Sequence, residues 1–477
     1  MENNKFDFGM IGLGVMGSNL LLNMADHGFS VIGFDTNPGK TKAFEASATK
    51  SETVKGVNTL KEMIALLKIP RKLMMLVPAG NAVDSVIKDL KPLLQKGDII
   101  IDGGNSHYTD TLRRINGLKD TGFHFIGMGI SGGEEGARRG PSIMPGGDEE
   151  AYKELAPILE AISAKVNGES CVAYLGHDAA GHYVKMVHNG IEYSIMQFIS
   201  ECYDLMHNGL GLSNEELHEV FQDWNGGDMK SYLLEITAAI FEKKDDRSNN
   251  YLIDMILDKA NALGTGKWTS QSGLDLPMPV PTIDAAVMMR NLSSLIDERK
   301  EAASIYKTSP KKIEIDKKEF IAQLRDALYF ATLISYAQGL AMIDKASAEL
   351  KMDIPLPQVV SIWRGGCIIR SVMLEMFKKV FKNSNSKATG LKNLLLDPDI
   401  AKLLQQKESS IQKVVSVAVL NSYPASGLMS SLDYFNAYRR KLLPTNLVQA
   451  QRDFFGAHTY HRIDGEGIFH TKWEEKK

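Results

Sequence analysis

The stretch "GHYVKMVHNGIEY", residues 181–193, carries Lys185, His188, Asn189 and Glu192 at positions i, i+3, i+4 and i+7. At about 100° per residue these four polar groups share one narrow stripe of a helix. Tyr183, Val184, Val187 and Ile191 fall on the other side. A lysine and a carboxylate two turns apart offer a base and an acid, provided their surroundings neutralise both. The imidazole and amide between them can orient a polar substrate. An exposed helix ion pair has the same spacing, so spacing alone does not choose between the two readings.

A second constellation lies near the N-terminus. "IGLGVMG" places Gly12, Gly14 and Gly17 in G-x-G-x-x-G order, after an apolar run and before a helical pattern. The first glycine serves a tight turn, the second lets a pyrophosphate approach, and the third lets helix and strand pack closely. The N–H groups of the new helix then face the phosphates. The next apolar run, "SVIGFD", ends at Asp35, near the position where a carboxylate accepts the adenosine ribose hydroxyls and repels a 2′-phosphate. Thr36 and Asn37 follow, with no arginine to clamp that phosphate, and Lys40 and Lys42 read as solvated residues of the next helix. NAD is therefore expected over NADP.

These residues need a scaffold. "FDFGMIGLG", "SVIGFD", "KLMMLV", "GDIIIDGG" and "FHFIGMG" are short apolar runs ending in Gly or polar residues, which read as buried parallel strands. Helical patterns lie between them, so residues 1–178 are expected to form a doubly wound, Rossmann-type α/β domain. Long helical patterns dominate 179–440, an expected all-α domain for substrate and dimerisation. Within it "WNGGDMKSYLLE" from Trp224 and "WRGGCIIRSVMLE" from Trp363 suggest an internal duplication. Residues 441–477 form a polar, aromatic tail that cannot build a core alone and must pack on something else.

Composition narrows the class. The chain has 477 residues, 44% apolar and 24% charged, with a formal net charge of −3. That length predicts two or three domains, and that charge gives no reason to expect nucleic acid or a membrane surface as partner. Three cysteines, Cys171, Cys202 and Cys367, lie far apart without CxxC spacing, arguing for a reducing compartment and against a disulfide framework or structural zinc. No secretory pattern or bilayer-length apolar run is read, so a cytoplasmic location is expected.

The motifs "IGLGVMG", "DGGNSHYTDT", "GMGISGGEEGARRGPSIMPGG", "KMVHNGIEY", "GTGKWT" and "LVQAQRDFFGAHTYHR", in this order, resemble the decarboxylating 6-phosphogluconate dehydrogenases over nearly the whole chain. The resemblance implies oxidation of 6-phosphogluconate at C3, loss of CO₂ and formation of ribulose 5-phosphate. It assigns Lys185 as base and Glu192 as acid. It implies cofactor contacts at Gly12, Gly14, Val15, Met16, Gly17, Asp35, Thr36, Val77, Ala79 and Asn105. Asn105, Ser131, Gly132 and Gly133 approach the sugar acid, and His188 and Asn189 orient it. Tyr193, Lys267, Thr269 and Arg290 meet the phosphate, joined by Arg452 and His458 from the partner of a homodimer whose tails cross over.

Two departures stand out. NADP-using members carry Asn-Arg-Thr where this chain has Asp35, Thr36 and Asn37, and many have Lys where it has Pro78. "GTGKWT" is not a Walker loop, since Trp268 follows the lysine and the upstream glycine is missing. "HTYH", residues 458–461, lacks the carboxylates of a metal site; His461 reads as structural, and no metal is expected. Arg139 reads as a solvated helix residue. A shorter β-hydroxyacid substrate would leave Lys267, Arg290 and Arg452 without a purpose. A catalytically silent nucleotide-sensing dimer would not need both Lys185 and Glu192.

Overall fold

The computed structural model describes residues 6–48, 53–307, 310–384 and 391–473. Seven strands form one sheet in the order β3-β2-β1-β4-β5-β6-β7, namely Phe8–Ile11 (β1), Val31–Phe34 (β2), Val54–Val57 (β3), Lys72–Met75 (β4), Ile99–Asp102 (β5), His124–Ser131 (β6) and Ser142–Gly147 (β7). The first six run parallel, and β7 pairs antiparallel to β6. The period of two divides their side chains between two apolar layers. Phe8, Met10, Met74, Ile99 and Ile101 face one, while Ile11, Leu73, Met75 and Ile100 face the other. A strand buried on both faces reads as a continuous apolar run, which is why β1, β2, β4, β5 and β6 are visible in the sequence.

Two strands escape that reading. β3 is "VKGV" at the sheet edge, too short and too polar to stand out. β7 is "SIMPGG", whose Pro-Gly-Gly ending looks like a turn. Proline is tolerated there because β7 is the other edge strand.

Past a two-stranded hairpin, Lys165–Val166 with Glu169–Ser170, the 25-residue helix Ala180–Asp204 enters the second body of the chain. It packs against the 33-residue helix Lys317–Glu349. At their crossing Gly339 leaves room for Ile191, whose Cδ1 would lie 2.5 Å from an added Cβ. Each long helix leads into a short one closed by tryptophan, Asn214–Asn225 with Trp224 and Leu356–Trp363 with Trp363. The helices Tyr232–Glu242 and Met373–Ser384 follow the two W-x-G-G turns. The turns themselves meet in an antiparallel bridge, Ser231 with Ser371, and the Arg370 guanidinium lies 3.6 Å from the Tyr232 ring centroid. The two segments thus show the same element order and brace one another.

The tail helix Thr445–Gly456 and the segment after it close on Asp453. That buried carboxylate accepts from the Thr459 and Thr471 N–H groups, the Trp473 indole and the His470 ring, at 2.9 to 3.1 Å. The tail therefore has a polar hub of its own, which the sequence did not suggest. Leu447, Val448, Phe454, Phe455 and Ile463 stay exposed around it. Among the described residues no helix is long and apolar enough to cross a membrane.

Candidate active site

The glycine loop has the geometry its spacing predicts. Gly12 adopts φ 98°, and a Cβ there would stand 2.4 Å from the Leu76 carbonyl. A Cβ on Gly17 would stand 2.0 Å from the Gly12 carbonyl, so the helix Val15–Asp26 can approach β1 only with glycine there. A Cβ added at Gly14 would meet nothing within 4 Å, which leaves open space in front of the helix N-terminus. That helix starts without a side-chain cap or an acidic first turn, so its N–H groups are free for an anion. Val15 is exposed and Met16 half-buried at this edge. These residues fit a dinucleotide pyrophosphate.

Asp35 does more than end β2. Its Oδ2 accepts the Leu13 N–H at 2.9 Å and its Oδ1 the Asn37 N–H at 2.9 Å. Lys40 Nζ lies 3.6 Å from the same carboxylate, while Thr36 and Asn37 are exposed. The loops after β4 and β5, which carry Val77, Pro78, Ala79 and Asn105, are tied by Arg114. Its buried guanidinium donates to the Gly80 carbonyl at 3.0 Å, to Asp84 at 2.8 Å, and to Asp102 and Ser106 at 3.3 Å each. Asn105 and Ala79 remain exposed, and Val77 is half-buried.

The helix Ala180–Asp204 lies directly on β6. A Cβ on Gly129 would sit 2.3 Å from Lys185 Cβ, so this glycine allows the lysine its place. The Lys185 side chain is almost wholly buried. Burial lowers its pKa, opposed by the nearby Glu192 and Cys367. His188 has no exposed surface; its Nε2 lies 3.2 Å from Ser131 Oγ and its Nδ1 3.0 Å from Asn189 Oδ1. Burial holds that imidazole well below its ordinary range, reinforced by the Lys185 charge, so the ring is neutral. Glu192 Oε2 lies 3.7 Å from His188 Nδ1. Burial raises its carboxyl pKa, against the pull of Lys185 and Arg290. The polar stripe is thus a desolvated surface on which Lys185 and Glu192 are both pushed toward their neutral forms.

The residues expected to meet the phosphate are partly assembled. The Arg290 guanidinium stacks 3.5 Å from the Tyr193 ring centroid and donates to the Asn261 carbonyl at 3.0 Å. Lys267 is exposed on the helix Thr265–Asp275. Thr269 is the deepest of the four expected phosphate residues. It is fully buried, and its hydroxyl faces the Met186 carbonyl at 2.8 Å and the Thr265 carbonyl at 3.0 Å. It locks that helix to the lysine helix. Asn189 donates to Thr265 Oγ1 at 3.1 Å. Arg452 and His458 are exposed on the tail, Arg452 contacting Gln449 Oε1 at 3.0 Å. His461 holds the Gly467 carbonyl at 2.7 Å, a structural contact. Arg139 is exposed and pairs with Glu135. Among the described residues no group of three or more His, Cys, Asp or Glu side chains is arranged to hold a metal.

The second W-x-G-G turn forms the back wall, a role the sequence reading did not give it. Trp363 packs edge-on to His188 with ring centroids 5.7 Å apart. The Gly366 carbonyl accepts the Ser142 N–H at 2.8 Å and would stand 2.6 Å from a Cβ on Gly132. This turn therefore braces Ser131, Gly132 and Gly133. Its repeat in the sequence marked it as structural, and nothing in the spacing pointed to the site.

Comparison with known proteins agrees with this arrangement. The family model "NAD binding domain of 6-phosphogluconate dehydrogenase" matches residues 7–176, and "6-phosphogluconate dehydrogenase, C-terminal domain" matches residues 181–473. The chain is 49% identical over 471 residues to the NADP(+)-dependent, decarboxylating 6-phosphogluconate dehydrogenase of Bacillus subtilis, covering 98% of this chain and 99% of that one. It is 50% identical over 476 residues to the decarboxylating enzyme of Synechocystis, covering 98% of each. The solved 6-phosphogluconate dehydrogenase of Plasmodium falciparum, studied with NADP+ and with 6-phosphogluconate, superposes with a TM-score of 0.94 at 45% identity, covering 98% of this chain and all of that one. The chain belongs to the family of decarboxylating 6-phosphogluconate dehydrogenases.

Proposed function

We infer that this chain catalyses the oxidative decarboxylation of 6-phosphogluconate to ribulose 5-phosphate and CO₂, a step of pentose phosphate metabolism. The observation that carries the mechanism is the desolvated stripe on which Lys185 and Glu192 are both biased toward neutrality. A bound nicotinamide dinucleotide supplies the hydride acceptor. Neutral Lys185 takes the C3 hydroxyl proton as C3 loses hydride. The 3-keto acid then loses CO₂, because its carbonyl accepts the electron pair, and protonated Lys185 stabilises the enolate oxygen. Protonated Glu192 delivers a proton to C1 of the enediol. His188, held by Ser131 and Asn189, orients the sugar acid as a neutral ring.

In the same reading Arg290, Tyr193 and Lys267 receive the phosphate. Arg452 and His458 come from the tail of a second copy, whose exposed Leu447, Phe454 and Phe455 offer an apolar face to dock. The division of the chain at 178 and 440 belongs to this picture: cofactor domain, substrate domain and exchanged tail. A reducing, cytoplasmic setting suits three buried, unpaired cysteines.

NAD is proposed as the preferred dinucleotide. Its support is the Asp35 carboxylate at the end of β2 with no arginine beside it. The Bacillus subtilis relative, NADP-dependent by name, stands on the other side of that question. Steady-state kinetics with 6-phosphogluconate and each dinucleotide decide both points. Absence of CO₂ release with either one would overturn the activity, and higher kcat/KM with NADP would overturn only the preference.

A further inference from the structure

Three residues before Lys185, His182 is buried to 1% exposure at the first turn of the lysine helix, and the mechanism makes no use of it. Its Nδ1 lies 2.7 Å from the Thr111 hydroxyl on the helix Tyr108–Leu118. The pair meets over β6 where there is no side chain. A Cβ on Gly127 would stand 2.8 Å from Thr111 Cγ2 and 3.0 Å from His182 Nδ1. The His182 ring also lies beside the backbone of Asp102 and Gly104, the strand end and loop that lead to Asn105. One turn below Thr111 on the same helix is Arg114, the guanidinium that ties the cofactor-side loops together. One turn beyond His182 is Lys185, seated over Gly129 two residues along β6.

Two helices therefore meet at one buried polar contact: the helix carrying Arg114, which ties the cofactor-side loops, and the helix carrying Lys185 are joined by Thr111 and His182, whose Nε2 has no hydrogen-bond partner. Two residues of strand, Gly127 and Gly129, register against one helical turn, His182 to Lys185. We propose that the Thr111–His182 contact is a positioning device that sets the lysine helix against the cofactor loops, and so fixes C3 between its base and its hydride acceptor. This rests on the proposed roles of Lys185 and the dinucleotide. Hydride transfer is sensitive to such placement, since an error of about 1 Å can cost on the order of 100-fold in rate. Neither residue touches substrate or cofactor in this account.

Thr111→Val tests it, keeping volume while removing the hydroxyl; Thr111→Ser restores a hydroxyl. The expected result for Thr111→Val is a roughly tenfold fall in kcat, consistent with a small misplacement. KM and the dinucleotide dissociation constant, from equilibrium titration, should stay within about twofold. The deuterium isotope effect on kcat with 3-deuterated substrate should rise, and Thr111→Ser should return it toward wild type. Unchanged kcat and isotope effect in Thr111→Val overturn the proposal. So does a loss that tracks weakened dinucleotide binding and Tm without a change in isotope effect, since that is general loosening. Should Thr111→Val not fold, His182→Gln is read by the same criteria. A wild-type chain inactive on 6-phosphogluconate would instead remove the proposed function.

Discussion

The Asp35 carboxylate accepts the Leu13 backbone N–H at 2.9 Å, so the residue proposed to read the adenosine ribose also pins the glycine loop. The proposed specificity and the loop geometry would therefore be joined in one side chain. Asp35→Asn keeps an acceptor for Leu13 but removes the charge, while Asp35→Ala removes both. The double variant Asp35→Asn with Thr36→Arg is expected to raise kcat/KM for NADP relative to NAD by at least tenfold, about 1.4 kcal/mol. Asp35→Ala is expected to weaken both dinucleotides, because the loop loses its anchor. Comparison of kcat/KM for the two cofactors across these variants checks it. A double variant with unchanged preference would show that other residues decide.

How far the sequence reached can be read from individual residues. Lys185, His188, Asn189 and Glu192 were visible because a helix repeats its face every third or fourth residue. The glycines at 12, 14 and 17 were visible because only their spacing meets the turn, the phosphate and the helix contact together. Trp363, Gly366 and Arg114 were not visible as parts of the site. Trp363 and Gly366 act through contacts far away in the chain, such as the Gly366 carbonyl on Ser142, and Arg114 through partners 8 to 34 residues off, separations that no local period encodes. The second contact of Thr269, its hydroxyl on the Met186 carbonyl of the lysine helix, was equally invisible in the sequence.

In the proposed mechanism the opposite shifts of Lys185 and Glu192 set the pH dependence. Activity needs Lys185 deprotonated, so it rises with pH through a pKa below the ordinary 10.5. It also needs Glu192 protonated, so it falls as pH passes a pKa above the ordinary 4.5. The kcat/KM profile should be bell-shaped. Glu192→Gln should lose 10²- to 10⁴-fold in turnover, the usual worth of a general acid, with dinucleotide affinity intact. Its residual activity should lack the alkaline limb. An alkaline limb unchanged in Glu192→Gln would assign that ionisation elsewhere. Lys185→Arg should be inactive over the same range, because a guanidinium does not give up its proton.

Gly129 decides where the base sits. An added methyl 2.3 Å from Lys185 Cβ is far inside any ordinary contact, and the opposing atom is close to the helix backbone rather than a flexible end. Gly129→Ala must push the helix off β6. Overpacking of this kind costs about 1–3 kcal/mol, and displacement of the base should cost at least tenfold in kcat. Gly117→Ala is the control, since nothing lies within 4 Å of its added Cβ and its φ is ordinary. It should leave activity unchanged. Equal activity of the two variants would mean that the lysine helix is not held by that contact.

Glu201 gives the fold a pH dependence separate from catalysis. Its side chain is buried on the lysine helix, where it accepts the Gly427 and Leu428 N–H groups at 2.8 and 2.9 Å. Those are orphan donors at the start of the helix Ser426–Tyr438, which has no cap of its own. Burial nevertheless pushes the carboxyl up to about 7, outweighing these donors and the Gln197 amide. A folded pKa above the unfolded one means the folded state holds the proton more tightly. The stability this group contributes is then greatest below the unfolded value, is lost as pH rises from about 4.5 to about 7, and is flat above. A shift of that size corresponds to a slope totalling roughly 3 kcal/mol across the interval. Glu201→Gln keeps an acceptor for the helix start and cannot ionise, so its denaturant midpoint should vary less between pH 5 and pH 8 than that of the wild type. Identical pH profiles for the two proteins would show that Glu201 stays ionised in the fold, its two backbone donors outweighing its burial.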